Sequence, residues 1–451
     1  MSALSQKFPL STTALSVMGA LLLSTLVPAA HAKRINPALL PATESIMIAP
    51  EAYPHETPSP APPMPPKPPS IDTDIQNTVR DALQEPAKAM PIFIPDQRYD
   101  RVIEMVFAID TTGSMGGLIE GAKQKVWRII NDVTQKQKQS GQKVLVRVGL
   151  VAYRDLQDDY VTRVTPLSSD LDAVYSQLMS FQAQGGGDTP ENVRLAMSDA
   201  LNREGWMNLR GGNNQALLRE RVGKLSQVLF LVGDAPPHDD YRQLPSVQNT
   251  ATKARQAGIF VNAIQVGNIR ETEPVWREVA QLGGGEYFAI AQNGGVQAIA
   301  TPYDAPLAKL GDDMSAKGLY YGRERAKAVA DSAGYAVAMA PAPIAAKADR
   351  AKNKSINLES AYNASDLVQA VENKSVDLAK VKTEDLPDEM QKMSASERQS
   401  FIEQKISERA AMRQQITDLS KQRDAYLREH EAGSADAFDT AVAKALNRQI
   451  Q

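Results

Sequence analysis

From residue 102 onward, short apolar runs rich in branched residues alternate with longer stretches whose apolar positions recur every three or four residues. The run Val102–Ile109 predicts a first strand. Ile119, Ala122, Val126, Ile129 and Val133 then share one helical face, which predicts a helix over Gly116–Thr134. Val144–Tyr153 is β-branched and apolar, as a central strand is. Tyr160–Val164 predicts a short antiparallel edge strand beside it. Leu171–Phe181 predicts a helix, Gly185-Gly186-Gly187 a break, and Pro190–Leu201 another helix with Pro190 in its first turn. Val228–Val232, Gly258–Val266 and Tyr287–Ala291 predict three more strands. Helices over Val247–Gln256, Glu273–Gln281 and Val296–Leu310 fill the gaps. This alternation implies an α/β fold: a doubly wound, mainly parallel sheet with helices on both faces.

The flanks have a different character. Roughly the first 32 residues carry Lys7, an apolar core over Leu15–Val27 and Ala30-His31-Ala32 before Lys33, which is the pattern of a cleaved signal peptide. The alternative, an uncleaved anchor, needs a longer apolar stretch to span a bilayer. Residues 33–97 are proline-dense, most of all over 50–69. They predict a disordered spacer that, at about 3.1 Å per residue, reaches roughly 60 Å as polyproline II. A docking motif for proline-binding modules is the sharper reading of the same run. Residues 204–224 follow Arg203 and carry Arg210, Arg219 and Arg221 around Gly211-Gly212; they predict a solvated polar insertion, with a partner-contacting loop as the sharper reading. Past residue 311 alanine, lysine and glutamate dominate, which predicts a mainly helical region over 311–451. Ser394-Ala395-Ser396-Glu397 is a capping box. It opens a helix of about thirty residues whose stripe of Met412, Ile416, Leu419 and Tyr426 suits packing on a neighbouring helix better than a full coiled coil. A last short helix over Asp436–Gln449 places Phe438, Val442 and Leu446 on one face.

Composition adds exclusions. The 451 residues carry a formal charge of −3 and no cysteine. There is thus no global electrostatic case for nucleic acid, and no thiol or disulfide chemistry. After signal cleavage no segment is apolar enough to cross a bilayer. A cysteine-free exported chain of this kind is expected in the bacterial periplasm, with secretion beyond it as the alternative.

The chemistry gathers at the ends of the predicted strands. Asp110, Thr112 and Ser114 follow strand one at spacings of two, so one tight turn can aim three oxygens at a hard divalent cation. Open α/β sheets hold their ligands at this end of their strands. The pattern D-x-[ST]-x-S after a hydrophobic strand resembles the metal-ion-dependent adhesion site of von Willebrand factor A domains. The sequence DTTGSM is similar to the subgroup that includes the A domains of alpha-kinase-like proteins. The resemblance covers residues 98–310. It implies a second ligand loop, here Gly185-Gly186-Gly187-Asp188-Thr189-Pro190-Glu191, in which Asp188 or Thr189 faces the metal. It implies a third at Gly233-Asp234, where Asp234 usually acts through water and Gly233 stands in place of the commoner threonine or serine. The cofactor implied is Mg2+, or Mn2+ as a substitute, since hydroxyl-rich oxygen sites suit a small cation that keeps waters. The partner implied is a protein that supplies a carboxylate to the metal.

An enzymatic alternative also exists. Asp110-Thr111-Thr112-Gly113-Ser114 is similar to the aspartyl-nucleophile turn of haloacid-dehalogenase-type phosphatases. Thr112 stands where those enzymes need an acid, and their lysine motif is not evident, so a non-enzymatic reading is preferred. The mature chain has only His55, His238 and His430. Of these only His238 lies near the metal loops, as an exposed loop residue by default. Arg154 and Asp155 end the second strand and are expected to pair along the rim.

Overall fold

The computed structural model describes residues 93–187, 189–208, 214–293, 299–357, 362–430 and 437–450. The signal segment, the proline-rich run and Asp188 lie outside them. Six strands form one sheet in the order β3-β2-β1-β4-β5-β6: β1 (Tyr99–Asp110), β2 (Val144–Tyr153), β3 (Thr162–Ser168), β4 (Val222–Gly233), β5 (Ile259–Val266) and β6 (Gly284–Ile290). Every pairing is parallel except β2 with β3. The predicted edge strand therefore exists and is antiparallel, set two residues later than its apolar pattern implies.

β1 has parallel neighbours on both sides and is buried at every position but Asp100. Successive side chains of a strand point to opposite faces. Ile103, Met105, Phe107 and Ile109 therefore enter one core, and Val106 and Ala108 the other. The first core is covered by α1 (Gly116–Gln139) and α2 (Leu171–Ser180). The second is covered by α3 (Val193–Asn202), α5 (Val247–Ala257) and α6 (Thr272–Leu282). Between α3 and β4 lies α4 (Gln215–Arg221). The chain moves outward from β1 through β2 to β3, then returns to β4 on the other side of β1. The order reverses at β1/β4, and a crevice at the carboxyl ends of strands forms at such a point.

Several boundaries differ from the sequence pattern, each for a local reason. The third helix starts at Val193, not Pro190. Asn192 caps it by accepting from Leu195 N at 3.2 Å, and this leaves Glu191 free to form a parallel bridge with Pro237. The insertion after α3 is not wholly solvated. Met207 and Leu218 bury themselves with Tyr99, Val102, Leu145 and Val222, with Phe93 and Ile94 packed against them; residues 209–213 lie outside the described set. The helix expected over Val296–Leu310 begins at Asp304, as α7 (Asp304–Ala316), after an irregular stretch at 299–303.

One polar cluster lies inside this scaffold. Arg147 on β2 contacts Glu104 on β1, and Glu104 Oε2 also accepts from Met207 N at 3.0 Å and Gln227 Nε2 at 2.8 Å. Glu204 is fully buried nearby, with no hydrogen-bond partner at either carboxyl oxygen. Its room exists because residue 149 has no side chain: a Cβ there would collide with the Glu204 carboxyl. Burial pushes Glu204 well above its ordinary range, and the charge of Asp199 adds to the effect.

The C-terminal half is helical: α8 (Arg325–Met339), α9 (Ile344–Ile356), α10 (Leu367–Glu372), α11 (Ala395–His430) and α12 (Ala437–Gln449). The capping box forms as read: Ser394 N donates to Glu397 Oε2 at 2.7 Å, and Glu397 N to Ser394 Oγ at 3.3 Å. Ile416 is buried with Leu307, Met314, Ala348 and Ala351, and Met412 and Leu419 pack alongside. The stripe of α11 therefore lies on α7 and α9, not on a coiled-coil partner. Met339, Ala342, Ala346, Val442, Leu446 and Ile450 join the same core as α1 and β1. Asp172 of α2 receives two bonds from Arg350 of α9, at 2.6 and 2.7 Å, and pairs with Lys354 at 3.1 Å. Among the described residues no helix is long and apolar enough to cross a membrane.

Candidate metal centre at the strand ends

Three loops meet at the β1/β4 crevice. β1 ends at Asp110, and a 3-10 turn, Gly113–Met115, leads directly into α1. Asp110 folds back on this turn: its Oδ1 accepts from Thr112 N at 2.8 Å and Thr112 Oγ1 at 2.6 Å. Thr112 Oγ1 in turn lies 3.4 Å from Ser114 Oγ. The three oxygens predicted from the spacing are thus together. Thr111, between them, points away: its hydroxyl donates to Tyr153 O at 2.9 Å and lies 2.6 Å from Tyr160 Oη.

The second loop is stitched to the first by Gly113 N to Gly185 O at 3.1 Å and Gln184 N to Thr111 O at 3.1 Å. Gly185 and Gly186 both have φ +77, which side chains other than glycine rarely adopt. Gly186 also permits close approach. A Cβ there would stand 3.0 Å from Thr112 Cβ and 3.2 Å from Glu191 Oε1. Thr112 and Glu191 therefore flank the same small space. Thr189 is exposed. The second and third loops join through Glu191 N to Pro236 O at 2.9 Å. Asp234 follows β4 and is 3% exposed. Its Oδ2 accepts from Gln292 Nε2 at 2.9 Å, and the same Gln292 nitrogen reaches Ser114 O at 3.0 Å.

Burial dominates the electrostatics of these carboxyls. Asp110 Oδ2 and Glu191 Oε2 are buried with no hydrogen-bond partner. Burial pushes Asp110 up to about 7; the two bonds from Thr112 oppose this, and Asp234 and Asp158 add to it. Burial likewise pushes Glu191 up to about 10, with Asp110, Asp155, Asp158 and Asp234 contributing. A divalent ion would relieve each of these shifts. Among the described residues no three acidic or histidine side chains converge into a metal-ligating group by themselves. A cation here would draw on the hydroxyls of Thr112 and Ser114, which suits Mg2+ better than a softer metal.

Two expectations for the rim are corrected. Arg154 does not pair with Asp155. It is buried and holds the backbone, donating from Nε to Thr111 O at 3.2 Å and from Nη2 to Gln182 O at 2.8 Å. It thereby ties the first ligand loop to the segment leading into the second. Its nearest acid is Asp159, at 3.8 Å. His238 is not an exposed loop residue either. Its side chain is 13% exposed, stacks on Tyr241 at 4.2 Å, and lies 3.2 Å from Asp155 and 3.0 Å from Asp240. Burial works to lower its pKa, but those two carboxylates raise it overall.

The sequence reading gives no site role to Glu191 or Gln292. Glu191 was visible as the last residue of the glycine-rich loop. Gln292 had no local signal, because its role depends on where β6 ends.

Residues 104–206 match a family described as the von Willebrand factor A domain. The chain contains a von Willebrand factor A domain. An ariadne-like RING finger protein of Acanthamoeba polyphaga mimivirus is 25% identical over 139 residues, which is 30% of this chain and 11% of that protein. The chain thus spans about a tenth of the length of this curated relative. The solved VWA domain of SpRpn10 has 11% identity and a TM-score of 0.29, over 43% of this chain and 88% of that one. A von Willebrand factor A domain supports a role in protein interaction or scaffolding in general.

Proposed function

We propose that this protein is a metal-ion-dependent binding or scaffold protein of the cell envelope. In this reading Asp110, Thr112, Ser114 and Asp234, with Asp188 or Thr189 from the second loop, hold Mg2+ or Mn2+. The observation that carries the reading is Asp110 itself. One of its oxygens is fixed by Thr112, and the other is buried and has no hydrogen-bond partner. When bound, the cation supplies an electrophilic open position for a carboxylate of a partner protein. Thr112 and Ser114 orient the turn, Gln292 holds Asp234, and Arg154 fixes the spacing of the first two loops.

Thermal unfolding with and without Mg2+ tests the site. A ligand that binds only the native state raises its stability by mass action. The wild type should melt higher with Mg2+ or Mn2+, while Asp110→Ala should lose the shift and keep its far-UV circular dichroism. Equal shifts in both proteins would sink the assignment. Partner capture from envelope extracts should require the metal and be competed by free carboxylates. Formation of a phosphoenzyme at Asp110 would overturn the binding reading in favour of catalysis. The envelope location rests on the Ala30-His31-Ala32 pattern, so mass spectrometry of exported protein should find Lys33 at the N-terminus.

A further inference from the structure

A second carboxyl with a bare oxygen stands near Asp110, outside the predicted ligand set. Glu191 is the residue before the cap of α3 and is 3% exposed. Its backbone is held on both sides. Glu191 N donates to Pro236 O at 2.9 Å, and Glu191 O accepts from Val193 N at 2.8 Å and from His238 N at 3.3 Å. A fixed junction between the second and third loops therefore carries this side chain.

Glu191 Oε2 is buried with no hydrogen-bond partner, and so is Asp110 Oδ2. Buried polar atoms are nearly all paired in folded proteins, and a carboxylate taken out of water without a partner is costly. Glu204 is another buried carboxyl with bare oxygens, but it has the Arg147 charge to offset it. Around Glu191 the charges of Asp110, Asp155, Asp158 and Asp234 all disfavour its ionised form.

The geometry brings Glu191 and Asp110 to one space. A Cβ at Gly186 would stand 3.0 Å from Thr112 Cβ and 3.2 Å from Glu191 Oε1. Thr112 is the residue whose hydroxyl donates to Asp110 Oδ1. From the β4 side, a Cβ at Gly233 would meet the Tyr153 hydroxyl and stand 3.2 Å from Asp110 Oδ2. Burial pushes that hydroxyl up, and Asp110, Glu191 and Asp234 add to the effect. The three acids therefore surround one buried point.

A divalent cation satisfies both bare oxygens at once. We propose that Glu191 is a carboxylate ligand of the cation, which it shares with Asp110 and the hydroxyls of Thr112 and Ser114. The inference rests on the metal reading given above and adds a ligand that the motif residues do not include. Two carboxylates with hydroxyls and waters form a hard oxygen set of the kind Mg2+ and Mn2+ accept.

Titration calorimetry of Mn2+ into the full chain tests this, with water-proton relaxation by the bound ion as a second readout. Glu191→Gln keeps the size of the side chain. It should lose roughly tenfold or more of the Mn2+ affinity, and relaxation per bound ion should rise as water replaces the lost ligand. Glu191→Asp, which keeps the charge, should retain more affinity than Glu191→Gln. Wild-type affinity in Glu191→Gln, with binding abolished in Asp110→Ala, would overturn Glu191 as a ligand and leave the metal centre standing. Equal losses in the two Glu191 variants, or a loss with unchanged relaxation, would assign Glu191 a packing role and overturn the proposal as well. No Mn2+ binding to the wild type at about 10 mM would remove the metal centre itself, and this ligand with it.

Discussion

Position 233 illustrates how much one side chain decides at this crevice. The commoner family form has threonine or serine there, and this chain has glycine. A Cβ at that position would meet the Tyr153 hydroxyl and stand 3.1 Å from Asp110 Cβ. Gly233→Thr should therefore cost about 1–3 kcal/mol through overpacking. Tyr153→Phe, which removes the hydroxyl, should recover part of that loss in a double-mutant cycle measured by chemical denaturation. Additive losses would show that the two residues do not compete for the same space. At this scale the sequence was legible where spacing alone sets geometry: Asp110, Thr112 and Ser114 came together as their alternation implied. It was not legible for Arg154 and His238. Their partners, the Thr111 and Gln182 carbonyls and the Tyr241 ring, are fixed by where separate loops cross.

Among the elements, α2 and α9 are joined by charge more than by shape. Burial alone would raise Asp172, but Arg350 and Lys354 hold it well below its ordinary value of 3.8. A depressed carboxyl contributes stability above the unfolded-state pKa and loses it as pH falls through the folded-state value. Asp172→Asn should thus be strongly destabilising at neutral pH, by about 3–5 kcal/mol, because two buried cations lose their partner. The difference from wild type should shrink as the pH drops below 3.8. A difference that does not vary between pH 7 and pH 3 would show that the pair contributes no net charge–charge stability. Apolar periodicity located the helices, since it depends on nearest neighbours along the chain. Their starts were less legible. Asn192 outcompeted Pro190 as the beginning of α3 because the bridge from Glu191 to Pro237 claimed the residues before it.

At the scale of the molecule, the described residues between 93 and 450 fall within one compact unit. Val442 and Leu446 of α12 lie in the same core as Ile129 and Ile130 of α1. Leu446→Ala should cost about 2–4 kcal/mol and lower the midpoint of one shared thermal transition. A second transition that alone responds to the mutation would show that the C-terminal helices melt independently. The doubly wound sheet was legible because strands buried on both faces read as continuous apolar runs. The seating of α12 was not, because an amphipathic stripe states that a face must be covered and not by what.

The buried carboxyl of Glu204 has a consequence for heat measurements. A group whose pKa rises on folding takes up a proton as the chain folds, so stability declines as pH rises from the unfolded value towards the folded one. Unfolding near neutral pH should therefore release protons to the buffer. The calorimetric enthalpy should differ between phosphate and Tris in proportion to their heats of ionisation, and Glu204→Gln should reduce that difference. The folded molecule then acts as a proton store, filled from solution each time the sheet closes over Gly149.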